Sequence, residues 1–171
     1  MTLRRALDRL YHGAGVAAAV LLAGTLAMVL TGIAGRLLHF HLPGTDAYAG
    51  YCMAGAGFLA LAHTLKRGEH IRVTLLLEHA GETAHRWLER WSLAAAVLLA
   101  GLFAFYSVRL VWQSWDFNDI STANDATPLW IPQIAMAAGT LILFVAFVDE
   151  LVLELAGRRR RAQPAEALHN E

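Results

Sequence analysis

The sequence has 171 residues, of which 57% are hydrophobic and only 16% are charged, and its formal net charge at pH 7 is +0. A soluble domain of this size carries more charge on its surface, and a zero net charge gives no electrostatic basis for binding nucleic acid. The single cysteine, Cys52, excludes an internal disulfide and a cysteine-based metal cluster. The charges stand in short blocks between long apolar runs, which is the pattern of an integral membrane protein.

Four apolar runs are long enough to cross a bilayer as α-helices. In chain order they are Gly13–Ala34, Ala47–Leu65, Trp91–Trp112 and Leu129–Leu151. About 20 residues rising about 1.5 Å each cross a hydrocarbon core of about 30 Å, and in lipid every backbone amide must bond within the segment. The first run exceeds the roughly 7–15 residues of a signal-peptide core, so we expect it to remain as a span. The sequence thus predicts an all-α integral membrane fold with four transmembrane helices in residues 1–157, followed by a disordered, basic and then polar tail in residues 158–171.

The segment Glu69–Arg90, between the second and third runs, predicts an amphipathic helix. Apolar residues recur on one side at helical spacing, and polar residues form an opposing stripe. Such a helix can lie in the membrane interface with its apolar face in lipid. A short soluble helical hairpin is the alternative interpretation.

The basic residues are distributed asymmetrically around these runs. Twelve of the 14 lysines and arginines precede the first run, lie between the second and third, or follow the fourth. Arg36 stands in an opposite loop and Arg109 near the opposite end of the third run. Because cytoplasmic segments carry the excess of basic residues, both termini are predicted to be cytoplasmic. The loop Asp116–Asp125 is then predicted to face outward.

The predicted spans contain few groups that could perform chemistry. A coupled transporter subunit usually has an ionisable residue at mid-span, but here the charges lie at helix ends, and His63 is the only histidine within a run. A membrane cytochrome needs two imidazoles that face each other across haem iron, and His63 alone does not supply such a pair. We therefore predict no enzymatic activity, no metal and no cofactor.

The second run offers a packing surface instead. Small residues on one helix face let another helix approach closely, and such contacts drive association in lipid. Packing within this bundle and contact with another subunit are both open interpretations. The candidate face consists of Ala47, Gly50, Ala54 and Gly57.

Three short stretches of the sequence are distinctive. The first is Arg36, ahead of a short outer loop; the second, and the most specific, is the run Lys66–Val73; the third is Pro128–Gln133, with Gly139 one turn and more beyond it. Together with the length and the number of helices, these stretches resemble the small membrane subunit of the tripartite ATP-independent periplasmic (TRAP) transporters. The resemblance implies structural roles for Arg36, Gly68, Glu69, His70, Arg72, Pro128, Trp130, Pro132 and Gly139.

The resemblance also implies a function in sodium-coupled uptake of an organic acid. A periplasmic binding protein captures the substrate, and a large membrane subunit carries the substrate and sodium sites and moves as an elevator. The small subunit is a scaffold in the inner membrane that packs against the large subunit and helps dock the binding protein. The alternative hypothesis is a membrane anchor or cytochrome-type subunit of a respiratory complex.

Overall fold

The computed structural model describes residues 2–40, 42–67, 82–123 and 125–157, with side chains described from residue 4 and, after the second gap, from residue 87. These residues form four α-helices, and the only extended pairing among them is an isolated bridge between Ile120 and Pro128. The predicted all-α class is therefore confirmed. The helices are α1 (Thr2–Leu37), α2 (Thr45–Arg67), α3 (Glu82–Asp116) and α4 (Trp130–Leu155).

Within the described ranges, α1, α3 and α4 are long and apolar enough to cross a membrane. The second helix, α2, has sufficient length at 23 residues, but its many small residues and its tyrosines, threonines and histidine make it less apolar. This composition fits its position, because a helix packed on two sides by other helices needs less apolar surface against lipid. Three of the four predicted spans thus have the required length and composition, and the crossing of α2 remains a prediction.

The predicted interfacial helix has no separate counterpart in the described part of the chain. Residues 68–81 lie outside that part, and Glu82–Arg90 forms the first turns of α3 without a break before Trp91. The backbone of Glu82–Arg90 is therefore continuous with a membrane-length helix. Its placement in the interface remains a prediction.

The helices pack in the spatial order α1, α2, α4, α3. Helix α2 contacts α1 and α4, and α3 packs on α4. The start of α1 meets the ends of α2 and α4, since Tyr11 forms one apolar cluster with Ala62, Leu65, Leu143 and Ala146. Successive helices therefore run in opposite directions, and both described ends of the chain lie at the same end of the bundle, which we call the basic end. The opposite end is the loop end.

Glycines allow close helix contacts on both sides of α2. A Cβ on Gly139 of α4 would lie 2.5 Å from the carbonyl carbon of Phe58 in α2. A Cβ on Gly55 of α2 would lie 2.9 Å from Leu21 in α1 and 3.1 Å from Ala135 in α4. At Gly139 the crowding atoms belong to the backbone, so the observed packing requires glycine there. At Gly55 the nearest atom is the end of the Leu21 side chain, which must shift to admit a Cβ. The pair fixes α2 tightly between α1 and α4.

Candidate functional site

The most specific part of the family-like motif cannot be placed. Gly68, Glu69, His70 and Arg72 lie outside the described residues. Lys66, which opens the same run, is described and belongs to a polar cluster at the basic end.

That cluster joins three helices through Lys66 of α2. The Lys66 Nζ donates hydrogen bonds to Asp149 Oδ2 and, at 2.9 Å, to Glu150 Oε1, both on α4. Its ammonium also lies 5.2 Å from the ring centroid of Tyr11 on α1. The three charged side chains are only 14–16% exposed. Losing one partner would therefore cost more folding stability here than at an exposed surface pair.

From the sequence, Asp149 and Glu150 were expected only to lie at a helix end, without a pairing to Lys66. The sequence did contain a signal for this pair. Lys66 ends the second apolar run and the acids end the fourth, and in a bundle of alternating helices these two ends lie on the same side. The sequence does not show that α2 packs mainly on α4 and not on α3.

His63 has a second histidine beside it that the sequence alone does not reveal. The ring of His12 on α1 lies 6.2 Å from that of His63, centroid to centroid. The two histidines sit on directly packed helices, since a Cβ on Gly15 would lie 2.8 Å from His63 Cγ. A porphyrin extends on all sides of its iron and would separate α1 from α2 here, so this pair does not fit the cytochrome alternative.

At the loop end, Arg36 and Asp46 connect α1 to α2. Arg36 Nη2 lies 3.4 Å from Asp46 Oδ2, but the side chains are 75% and 84% exposed. An exposed pair of this kind contributes little stability. Beside it a cleft of about 520 Å³ opens between the end of α1, the start of α2 and Ala123. Arg36 therefore lies at a solvent-accessible cleft rather than in the bundle core.

The loop between α3 and α4 is attached to α2 by hydroxyl groups. The Tyr51 hydroxyl lies 2.9 Å from Ser121 Oγ and 3.1 Å from Asp125 Oδ2, and Ser121 Oγ donates to Asp125 Oδ1 at 2.8 Å. Hydrogen bonds from Thr127, Ser121 and Tyr51 hold the pKa of the Asp125 carboxyl below its ordinary value. The carboxylate is therefore charged at neutral pH and fixes the loop on α2.

The proline motif opens α4, as the sequence predicts. The helix begins at Trp130, which places Pro132 in the first turn, where its missing N–H is tolerated. The Pro128 carbonyl accepts a hydrogen bond from Ile131 N at 3.2 Å. The Trp130 ring packs on Trp115 of α3, with centroids 5.7 Å apart. The motif thus joins the start of α4 to the end of α3, and Gly139 supplies the close contact with α2.

The small-residue face of α2 points away from the other helices that the structure describes. Gly50, Ala54 and Gly57 are exposed, and Ala47 is half-buried. A Cβ on Gly50 or on Gly57 would meet nothing within 4 Å. Among the described residues, the packing within the bundle instead uses another face of α2, formed by Ala49, Gly55, Ala56, Ala62 and Leu65.

No group of three or more histidine, cysteine or acidic residues is placed to hold a metal ion in the described ranges. The fold and its sites define a small helical membrane protein with polar clusters at both ends of a packed bundle. A family model described as tripartite ATP-independent periplasmic transporters, DctQ component, matches residues 25–157. Since the match covers well over half of the chain, this protein belongs to that family, as a small TRAP transporter membrane component of the inner membrane. The chain shows no match to a curated protein or to a solved structure.

Proposed function

We propose that this chain is the scaffold subunit of a sodium-coupled TRAP transporter that takes up an organic acid. It holds the large membrane subunit in place and helps dock a periplasmic binding protein at the loop end. Family membership supports the transporter assignment. The scaffold role is supported by the spans, which contain no carboxylate at mid-membrane where a coupling ion would bind.

The observation that carries this proposal is the outward face of α2, formed by Ala47, Gly50, Ala54 and Gly57. Bulky aliphatic side chains suit lipid contact, whereas small residues suit contact with another helix, whose backbone they let come close. The outward face of α4 has the first composition, with Ile131, Ile134, Leu141 and Val145 exposed. We propose that the large subunit packs on the small-residue face of α2, and that lipid covers the aliphatic face of α4.

Two leucine substitutions test this contact. Ala54→Leu and Gly57→Leu, alone and together, are expected to lower co-purification of the large subunit about tenfold or more, because large side chains hold packed helices apart. Sodium-driven uptake in proteoliposomes should fall in parallel, without a change in substrate affinity of the remaining complex. The isolated chain should keep its thermal stability, since both positions are exposed among the described residues.

Ala23→Leu is the matched control, because Ala23 is also exposed but lies on α1 between the exposed Leu22 and Leu26. It should leave assembly intact. Normal assembly of the Ala54→Leu/Gly57→Leu double variant would place the contact elsewhere. Uptake by this chain reconstituted alone would refute the scaffold role itself.

We also propose that α2 crosses the membrane and that the basic end is cytoplasmic. Asp46 and Lys66 delimit the crossing, because 20 residues at about 1.5 Å each span about 30 Å. On α3, the exposed Trp91 and Trp112 stand about 31 Å apart by the same rise, as expected of side chains at the two interfaces.

Cysteine labelling in intact cells tests this orientation. In a background carrying Cys52→Ala, a cysteine at Asn118 is expected to react with a membrane-impermeant thiol reagent. Cysteines at Thr2 and Gln163 are expected to react only after the cells are permeabilised. The 12 basic residues at the basic end favour a cytoplasmic location for both termini. Labelling at either terminus of intact cells would reverse the orientation.

A further inference from the structure

One imidazole ring on α1 and one on α2 lie close together, one helical turn from Lys66. The rings of His12 and His63 have centroids 6.2 Å apart and planes inclined at 56°. His12 is exposed, and His63 is half-buried. Within the described part of the chain, neither ring has a hydrogen-bonding partner. Their nitrogen atoms are thus available to a ligand that reaches them from the surface.

The separation of the rings fits a single bridging ion. Imidazole nitrogens bind Zn²⁺ at about 2.0–2.1 Å, so two rings on one ion have centroids about 5 Å apart at a tetrahedral angle and about 6.4 Å apart on opposite sides of the ion. The observed 6.2 Å lies between these values, near the wide angle that tetragonal Cu²⁺ and Ni²⁺ sites allow. Neutral imidazole suits Zn²⁺, Cu²⁺ and Ni²⁺, whereas Mg²⁺ and Ca²⁺ prefer oxygen. Two protein ligands leave the remaining coordination positions to water, which the exposure of His12 permits.

Charges of both signs lie within one helical turn of the pair. Arg9 precedes His12 and Arg67 follows His63, whereas Lys66 is already paired with Asp149 and Glu150, so it opposes a second cation less than an unpaired lysine would. Asp8, one helical turn before His12, is exposed and adds a negative charge on the same side of α1. Gly15 presents no side chain to the His63 ring, which lets the ring lie directly on α1.

We propose that His12 and His63 form a binding site for a divalent transition-metal ion of the Zn²⁺ and Cu²⁺ class. The ion joins the first part of α1 to the last turns of α2 from the basic end of the bundle. This site is separate from the proposed contact on α2 and does not depend on the large subunit.

The test uses the full chain, purified in detergent without a polyhistidine tag and titrated with Zn²⁺. Because an ion that binds only the folded state stabilises it, the thermal midpoint is expected to rise by roughly 5–10 °C at a Zn²⁺ concentration about 100 times the Kd. His12→Phe and His63→Phe keep a planar ring at each position and remove the nitrogens, so each variant should lose the rise. With Cu²⁺, the electron paramagnetic resonance spectrum should show coupling to two imidazole nitrogens.

His39→Asn is the matched control, because it removes an exposed histidine at the loop end and should leave the rise unchanged. Absence of a Zn²⁺-dependent rise in the unaltered chain would overturn the proposal. So would an undiminished rise in both phenylalanine variants, or a Cu²⁺ spectrum that keeps its two-nitrogen coupling in His63→Phe.

Discussion

Gly139→Ala is expected to destabilise the bundle by about 1–3 kcal/mol, the usual cost of overpacking a close contact. The added Cβ would lie 2.5 Å from the Phe58 carbonyl carbon and 2.6 Å from its oxygen. These are backbone atoms, so no side-chain rotation relieves the overlap, and α2 and α4 must move apart. The thermal midpoint of the purified chain in detergent should fall by several degrees.

Gly57→Ala is the matched control for that substitution. A Cβ at Gly57 would meet nothing within 4 Å, and alanine is favoured over glycine in a helix by about 1 kcal/mol. This variant should therefore be unchanged or slightly more stable in the isolated chain. Equal midpoints for the Gly139→Ala and Gly57→Ala variants would show that α2 and α4 do not approach each other as closely as described.

Lys66→Met should have the largest effect on stability, with a loss of about 3 kcal/mol. The substitution keeps the length of the side chain but leaves Asp149 and Glu150 half-buried without their cation, and breaking a pair of this kind is costly. Tyr11 also loses its contact with the ammonium. Thermal unfolding in detergent and the rate of proteolysis at the basic end should both report the change.

Neutralising the acids at the same time should restore much of the lost stability. The triple variant Lys66→Met/Asp149→Asn/Glu150→Gln removes both carboxylates together with the ammonium, and replacing a buried ion pair by uncharged groups is often close to neutral. If Lys66→Met alone is as stable as the unaltered chain, or if the triple variant is less stable than Lys66→Met, the cluster does not hold the helices together by charge pairing.

Helix positions were predictable because each span has a strong one-dimensional signal. The runs beginning at Gly13, Ala47 and Trp91 lie inside α1, α2 and α3, and the last matches α4 to within one residue at its start. The start of α4 coincides with Pro128 and Pro132, since proline is well tolerated in the first turn of a helix and costly further in.

The neighbours of each helix were not predictable from the same signal. Apolar runs show that a helix is buried in lipid or protein without showing which. Three contacts between helices or loops were therefore not predicted: Lys66 with Asp149, His12 with His63, and Tyr51 with Asp125. For the same reason the sequence left open whether the small-residue face of α2 packs inside the bundle. In the structure, that face lies on the outside of the described helices.

The spatial order of the helices has a consequence for biogenesis. Helix α3 packs mainly on α4 and meets α2 through the Phe103 and Phe58 rings, so its main packing partner is the last of the four helices to leave the ribosome. The hairpin of α1 and α2 can form as soon as both are synthesised, whereas α3 must wait in the bilayer with its inward Ser107 and Ser114 facing lipid. A chain truncated before Trp130 would keep that polar stripe exposed, and quality-control proteases should degrade it faster than the complete chain.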